Sequence, residues 1–141
     1  MDALSVGRVA DLAPQKAVEL EHVLEACRDA VSREDFALCR ARIAALHGDE
    51  TDAAAAAATV LGEERVAALE RWWASDAFTA RERALLGFVE QFVFDVSSMT
   101  DEHVEALLAT DDPVHVHELA NVVWAIDLVT RMRVVSRSVL P

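Results

Sequence analysis

Four polar residues near the middle of the chain could carry acid–base chemistry: His47, Asp49, Glu50 and Asp52. Carboxylates crowded at a helix start raise one another's pKa, and a neighbouring imidazole can shuttle protons, so this segment is a candidate catalytic site. The alternative is structural, because Asp at a helix N-terminus is an ordinary cap and Glu in the first turn suits the helix dipole. The sequence leaves both interpretations open.

The two cysteines, Cys27 and Cys39, are candidates for thiol chemistry. They fall on consecutive predicted helices and could meet in space. Two cysteines this far apart nevertheless form neither a disulfide scaffold nor a zinc knuckle. Burial as small apolar residues is the simpler expectation for both.

Histidine spacing gives no metal motif. His115 and His117 flank Val116, and residues two apart on a helix point to different faces, so a shared metal ion is not expected. His22, His47 and His117 would have to converge from separate helices. We therefore predict neither a metal nor a redox cofactor.

Aromatic and charged residues in the second half of the chain admit two interpretations each. The tryptophans Trp72, Trp73 and Trp124 could line a pocket, although at helical spacing such residues are more often core. Asp127 and Arg131 are four residues apart on an apolar segment, which favours an ion pair that orients a subunit contact. They would bind substrate only if that helix lined a cavity.

Helices must position all of these residues, because no segment alternates convincingly with period two. Capping residues mark four helix starts (Ser32, Thr79, Thr100 and Asp112), and Gly48 is the expected end of the helix that carries His47. We predict an all-α compact bundle of about six or seven helices in one domain, residues 1–141. The predicted helices run from Pro14 to about Val31, from Ser32 to Leu46, through the alanines to near Gly62, from Glu63 to about Trp73, from Thr79 through Phe92, from Thr100 through Leu108, and from Pro113 to about Ser138.

Composition narrows the classes of partner. Hydrophobic residues make up 53% of the chain, the mean hydropathy is +0.19 and the formal net charge is −12. Such a negative surface repels nucleic acid and anionic membranes, and the surplus of apolar surface favours a homo-oligomer. The N-terminus lacks the basic start and apolar core of a signal peptide, and charges interrupt every long apolar run, so we expect a cytoplasmic protein.

Three segments carry a family resemblance. Residues 38–48 read Leu-Cys-Arg-Ala-Arg-Ile-Ala-Ala-Leu-His-Gly, residues 78–86 read Phe-Thr-x-Arg-Glu-Arg-Ala-Leu-Leu, and residues 100–107 read Thr-Asp-x-x-Val-x-x-Leu. In this order, and with a long apolar last helix, they resemble the alkyl hydroperoxidase D / carboxymuconolactone decarboxylase superfamily, in particular its peroxidase-related branch. The resemblance covers roughly residues 20–137 and implies an alkyl hydroperoxidase D-like fold.

The resemblance also implies what chemistry is missing. The peroxidase branch carries Glu-x11-Cys-x2-Cys-x3-His, and these positions correspond to Ala37, Asp49, Asp52 and Ala56. A carboxylate neither attacks the peroxide bond usefully nor forms a disulfide, so thiol-peroxidase activity is not expected.

The decarboxylase branch matches only in part. At its Arg-Glu-His-Glu-like turn this chain keeps Glu50, has the shorter Asp52, and lacks the arginine and both histidines. An anionic lactone acid would therefore meet like charge at the turn.

Two functions remain open. The first is an enzyme that needs neither metal nor redox cofactor and acts by acid–base chemistry (isomerisation, decarboxylation or ring closure) on a small organic molecule. Its pocket would lie between the second, third and last predicted helices, near His47, Asp49, Glu50 and Asp52. The second is a catalytically inactive member of the family that serves as a small-molecule-binding or assembly subunit.

Overall fold

Eight α-helices and two short 3₁₀ segments make up the parts of the chain that the computed structural model describes, residues 8–49 and 52–140, and no described residue lies in a β-strand. The prediction of an all-α bundle is confirmed. The helices are α1 (Val9–Leu12), α2 (Pro14–Ala30), α3 (Arg33–His47), α4 (Ala53–Leu61), α5 (Glu63–Ala68), α6 (Ala80–Asp95), α7 (Asp101–Leu108) and α8 (Pro113–Val139), and the 3₁₀ segments are Leu69–Ala74 and Val96–Ser98.

Local capping explains where the main helices begin and end. The Ser32 hydroxyl accepts a hydrogen bond from the Asp35 backbone N–H, and Thr79 and Glu82 form a reciprocal capping box. Gly48 ends α3 with φ at +67°, in the left-handed region that glycine enters without steric cost. The predicted boundaries at these positions are confirmed.

Two boundaries differ from the prediction. The helix expected to reach Trp73 ends as α5 at Ala68, and the chain continues as a 3₁₀ segment with a kink at Arg71. There the buried Leu69 packs into the core and the Trp72 indole N–H donates to Glu90 at 2.7 Å, so tertiary contacts replace the regular helix. The second difference is α1, an additional helix of four residues that is too short to show a periodic pattern.

The core consists of two apolar clusters, and α3 contributes to both. Cys39 and Ile43 join the larger cluster with α2, α6 and α8, whereas Ala37 and Leu38 join the smaller one with α4 and the segment after α5. Ala57 on α4 is fully buried against this smaller cluster. The alanine-rich helix therefore packs closely on α3, as its small side chains predict.

Buried ion pairs join α3 to the second half of the chain. The Arg81 guanidinium donates to both oxygens of the buried Asp35, at 2.8 and 2.7 Å, and through Nε to Asp111 at 2.9 Å. The hydrogen bonds that Arg81 donates to these carboxylates raise its pKa above the ordinary value. Asp35, in the first turn of α3, thus binds an arginine of α6.

Candidate functional site

His47, the last residue of α3, contacts α8. Its Nε2 atom lies 2.6 Å from Oδ1 of Asp127, and the other oxygen of Asp127 accepts a hydrogen bond from Arg131 Nε at 2.9 Å. The predicted Asp127–Arg131 ion pair is therefore confirmed. Asp127 is buried, whereas 17% of the His47 side chain is exposed. A carboxylate beside one ring nitrogen orients the imidazole, an arrangement that general bases use.

Asp49 is buried between two arginines of α8. Its Oδ2 accepts from Arg133 Nε at 2.8 Å, and its Oδ1 accepts from Arg137 Nη1 at 2.7 Å. The Asp49 side chain is 4% exposed, Arg133 is 15% exposed and Arg137 is 42% exposed. With both oxygens engaged by guanidinium groups, this carboxylate ties the end of α3 to α8.

The other two predicted residues lie apart from these contacts. Asp52 is exposed at the start of α4, and its side chain makes no capping hydrogen bond to any residue that the structure describes. Glu50 lies outside the described residues. His47 and Asp49 thus bind separate partners on α8, and the four-residue acid–base site stays a prediction.

The cysteines occupy the core. Cys27 and Cys39, both within the described part of the chain, are free and buried, as predicted. Burial raises the pKa of both thiols, and the nearby Asp35 carboxylate raises that of Cys39 further. Since the thiolate is the reactive form, neither environment activates a nucleophile.

A cavity of about 390 Å³ lies between the end of α2, the first half of α3 and α4. We call it the arginine-lined cavity, because Arg28, Arg33 and Arg40 contribute to its wall. Among the described residues that line it, Asp29 is the one carboxylate. The cavity shares α3 and α4 with the predicted pocket, but α2 forms its third wall where the last helix was expected.

One face of α3 forms the floor of the arginine-lined cavity. Arg33, Phe36, Ala37 and Arg40 follow the i, i+3, i+4, i+7 spacing that puts residues on one side of a helix. Arg40 is buried, with 6% of its surface exposed. The sequence prediction did not single out Arg33 or Arg40, although this spacing was visible, because arginines on a helix usually face solvent.

The cavity exists because α4 contributes small alanine side chains to its wall. Ala56, Ala57, Thr59 and Val60 form the wall opposite α3. Alanine side chains at the first two positions fill little volume, so a gap remains between helices that otherwise pack closely.

The described residues were compared with the requirements of a metal site and of a membrane-spanning helix. Within the described ranges, no three His, Cys, Asp or Glu side chains are close enough together to hold a metal ion, so His22, His47 and His117 do not form a cluster. None of the described helices has the length and hydropathy needed to cross a membrane.

Comparison with known proteins identifies the fold. No protein-family model matches the chain, and no curated protein sequence matches it. The crystal structure of a protein of unknown function from Agrobacterium tumefaciens, proposed to be the antioxidant defence protein AhpD, superposes with a TM-score of 0.84. The match covers 95% of this chain and 96% of that chain at 20% sequence identity. The fold is alkyl hydroperoxidase D-like.

The lining of the arginine-lined cavity can be compared with the four motif positions given by the sequence resemblance. Of the four positions that the resemblance assigns to reactive residues, Ala37 and Ala56 line this cavity. Asp49 binds α8 and Asp52 is exposed. The cavity therefore includes two of the four positions that the sequence resemblance assigns to reactive residues, and both are alanine.

Proposed function

We propose that this protein binds a small organic molecule in the arginine-lined cavity. The observation that carries the proposal is a cavity of about 390 Å³ with an apolar wall and a few charged groups. Ligand pockets have roughly this size, 300–1,000 Å³, and this mixture of lining groups. The position of Ala37 and Ala56 in the wall supports the same site, because the family resemblance puts reactive groups there.

A ligand-induced thermal shift tests the proposal. A ligand that binds the folded chain raises its melting temperature in proportion to the logarithm of ligand concentration. Ala56→Phe should fill part of the cavity and abolish the shift. Ala55→Phe is the matched control, because Ala55 is exposed on the same helix and does not line the cavity. The proposal is wrong if small aromatic acids, lactones and polyketide-like compounds give no shift, or if both variants respond equally.

A second candidate is a cofactor-independent enzyme that works by acid–base chemistry. The specific observation in its favour is the His47–Asp127 contact at 2.6 Å, with an imidazole held by a buried carboxylate. His47 follows Arg40 by seven residues, so it lies on the same face of α3, about 10 Å farther along the helix axis. His47→Gln should then abolish turnover of a bound compound and leave its affinity unchanged. Equal turnover in the variant and the parent would exclude this mechanism.

Self-association stays a prediction that exposed apolar side chains support. Phe94, Trp124, Val135 and Val139 are each about half exposed or more. Large exposed apolar side chains favour contact with another protein surface. Sedimentation velocity should detect an oligomer that Trp124→Glu dissociates, and a monomeric parent would refute the prediction. The cytoplasmic location is likewise a proposal from the sequence.

A further inference from the structure

We infer that the ligand of the arginine-lined cavity is an organic anion, a carboxylic acid with an apolar body. This inference rests on the proposed binding function and specifies the class of ligand. Arg33 and Arg40 lie on one face of α3, and Arg28 joins them from α2, against the single described carboxylate of Asp29. A planar guanidinium donates two parallel hydrogen bonds to one carboxylate, which makes arginine the residue best suited to bind it.

The charge of the cavity is opposite to that of the chain. The chain carries 13 basic and 25 acidic residues, so a concave surface chosen at random would be acidic. Among the ten described residues that line the cavity, three are arginines and one is a carboxylate, so the formal charge of the lining is positive. A small anion matches this formal charge of the lining.

The repulsion of an anionic ligand expected from Asp49 in the acidic turn, residues 49–52, is reduced in the folded chain. The sequence suggests that an anionic ligand would meet like charge there. Asp49, however, is held between Arg133 and Arg137 at 2.8 and 2.7 Å. Its negative charge is therefore balanced inside the protein and presents no repulsion of that kind to an anion in the cavity.

Apolar groups beside the arginines specify the remainder of the ligand. Phe36 is buried in the cavity floor, with the Arg28 guanidinium 5.1 Å from its ring centroid. Val60 and Ala56 face it from α4. A purely inorganic anion would leave this wall in contact with water, whereas an acid with an aromatic or aliphatic body would cover it.

Matched pairs of probes test the inference. Isothermal titration calorimetry of the full chain at constant ionic strength should detect binding of phenylacetate and hexanoate. The isosteric amides, phenylacetamide and hexanamide, should bind at least tenfold more weakly, because an amide gives no charge-assisted pairing. Equal affinity for acid and amide would overturn the inference and leave the proposed binding site intact.

Arginine variants locate the interaction. Arg40→Gln should weaken binding of the acids about ten- to hundredfold, and the exposed Arg33→Gln about fivefold. Arg33→Gln alters a surface residue, so it tests the inference even if Arg40→Gln fails to fold. Arg71→Gln is the control, because Arg71 is exposed and does not line the cavity. Acid binding that none of the cavity variants weakens would overturn the inference, as would the absence of any binding by the acids at millimolar concentration. A phenylacetamide or hexanamide response that Ala56→Phe abolishes would still support the proposed function.

Discussion

Replacing Asp49 by asparagine separates a structural from a catalytic role for the acidic turn. The carboxylate is 4% exposed and holds two guanidinium groups, so the substitution leaves buried positive charge without its counter-ion. Removing one partner of a buried ion pair typically costs about 3–5 kcal/mol. Arg137 is 42% exposed and can turn towards water, whereas Arg133, at 15%, cannot do so fully. We therefore expect a loss of roughly 2–4 kcal/mol, since only part of the charge stays buried.

Urea unfolding followed by circular dichroism measures this loss. For a chain of this length, roughly 3 °C in melting temperature corresponds to each kcal/mol, so the thermal midpoint should fall by about 6–12 °C. Asp52→Asn is the matched control: its side chain is exposed, and the free energy of unfolding should change by less than about 0.5 kcal/mol. Arg137→Gln should cost about 1 kcal/mol or less.

The same experiment has an outcome that refutes the structural role. If Asp49→Asn is as stable as Asp52→Asn, the contacts with Arg133 and Arg137 do not hold α3 to α8. A loss of turnover at unchanged stability would instead assign Asp49 to the chemistry.

Three other predictions concern the core and the helix ends. Folding raises the pKa of Cys39, so its contribution to stability is present below the ordinary thiol pKa of 9.0 and decreases as the pH rises above that value. Urea midpoints measured from pH 8 to 11 should therefore fall more steeply for the parent than for Cys39→Ala. Parallel slopes would contradict this prediction. Arg81→Gln leaves the buried Asp35 without its arginine partner and should lower the free energy of unfolding, measured in urea, by about 3–5 kcal/mol. A decrease of less than about 1 kcal/mol would refute this prediction. Gly48→Ala should destabilise by about 1 kcal/mol because φ is +67°. Gly87→Ala, in mid-helix, should stabilise by about 0.5–1 kcal/mol, because the added Cβ would lie 3.6 Å from the Trp72 side chain, an ordinary van der Waals contact. Two changes of the same sign in thermal unfolding would exclude this explanation.

Capping residues made the helix boundaries predictable, because a cap acts within three or four residues. Ser32, Thr79 and Asp112 each accept a hydrogen bond from the backbone N–H three residues later, a contact that the local sequence specifies. The end of α5 was not predictable in the same way. The kink at Arg71, in the 3₁₀ segment that follows α5, accompanies the contact between Trp72 and Glu90. These two residues are eighteen apart in the sequence, so local sequence patterns do not predict their contact.

The candidate site depended on contacts that one sequence does not specify. His47 and Asp127 are 80 residues apart, and Asp49 and Arg133 are 84 apart. Their pairing requires the relative positions of α3 and α8, which the periodicity of each helix leaves undetermined. The acidic turn was visible because its residues are adjacent in the sequence, whereas the cavity brings three helices together. His47 and Asp49 contact different residues of α8, and the four-residue site that their adjacency suggested stays a prediction.

The distribution of arginine supports attention to the cavity. In the part of the chain that the structure describes, ion pairs with carboxylates engage at least eight arginines, and five of these bind Asp35, Asp49, Glu90 or Asp127. A chain with 13 basic residues has few further cations. Three arginines line one concave surface, and Arg40 is buried there. The arginines that cross between helices stabilise the fold, and the proposed organic anion would account for the concentration of arginine around the cavity.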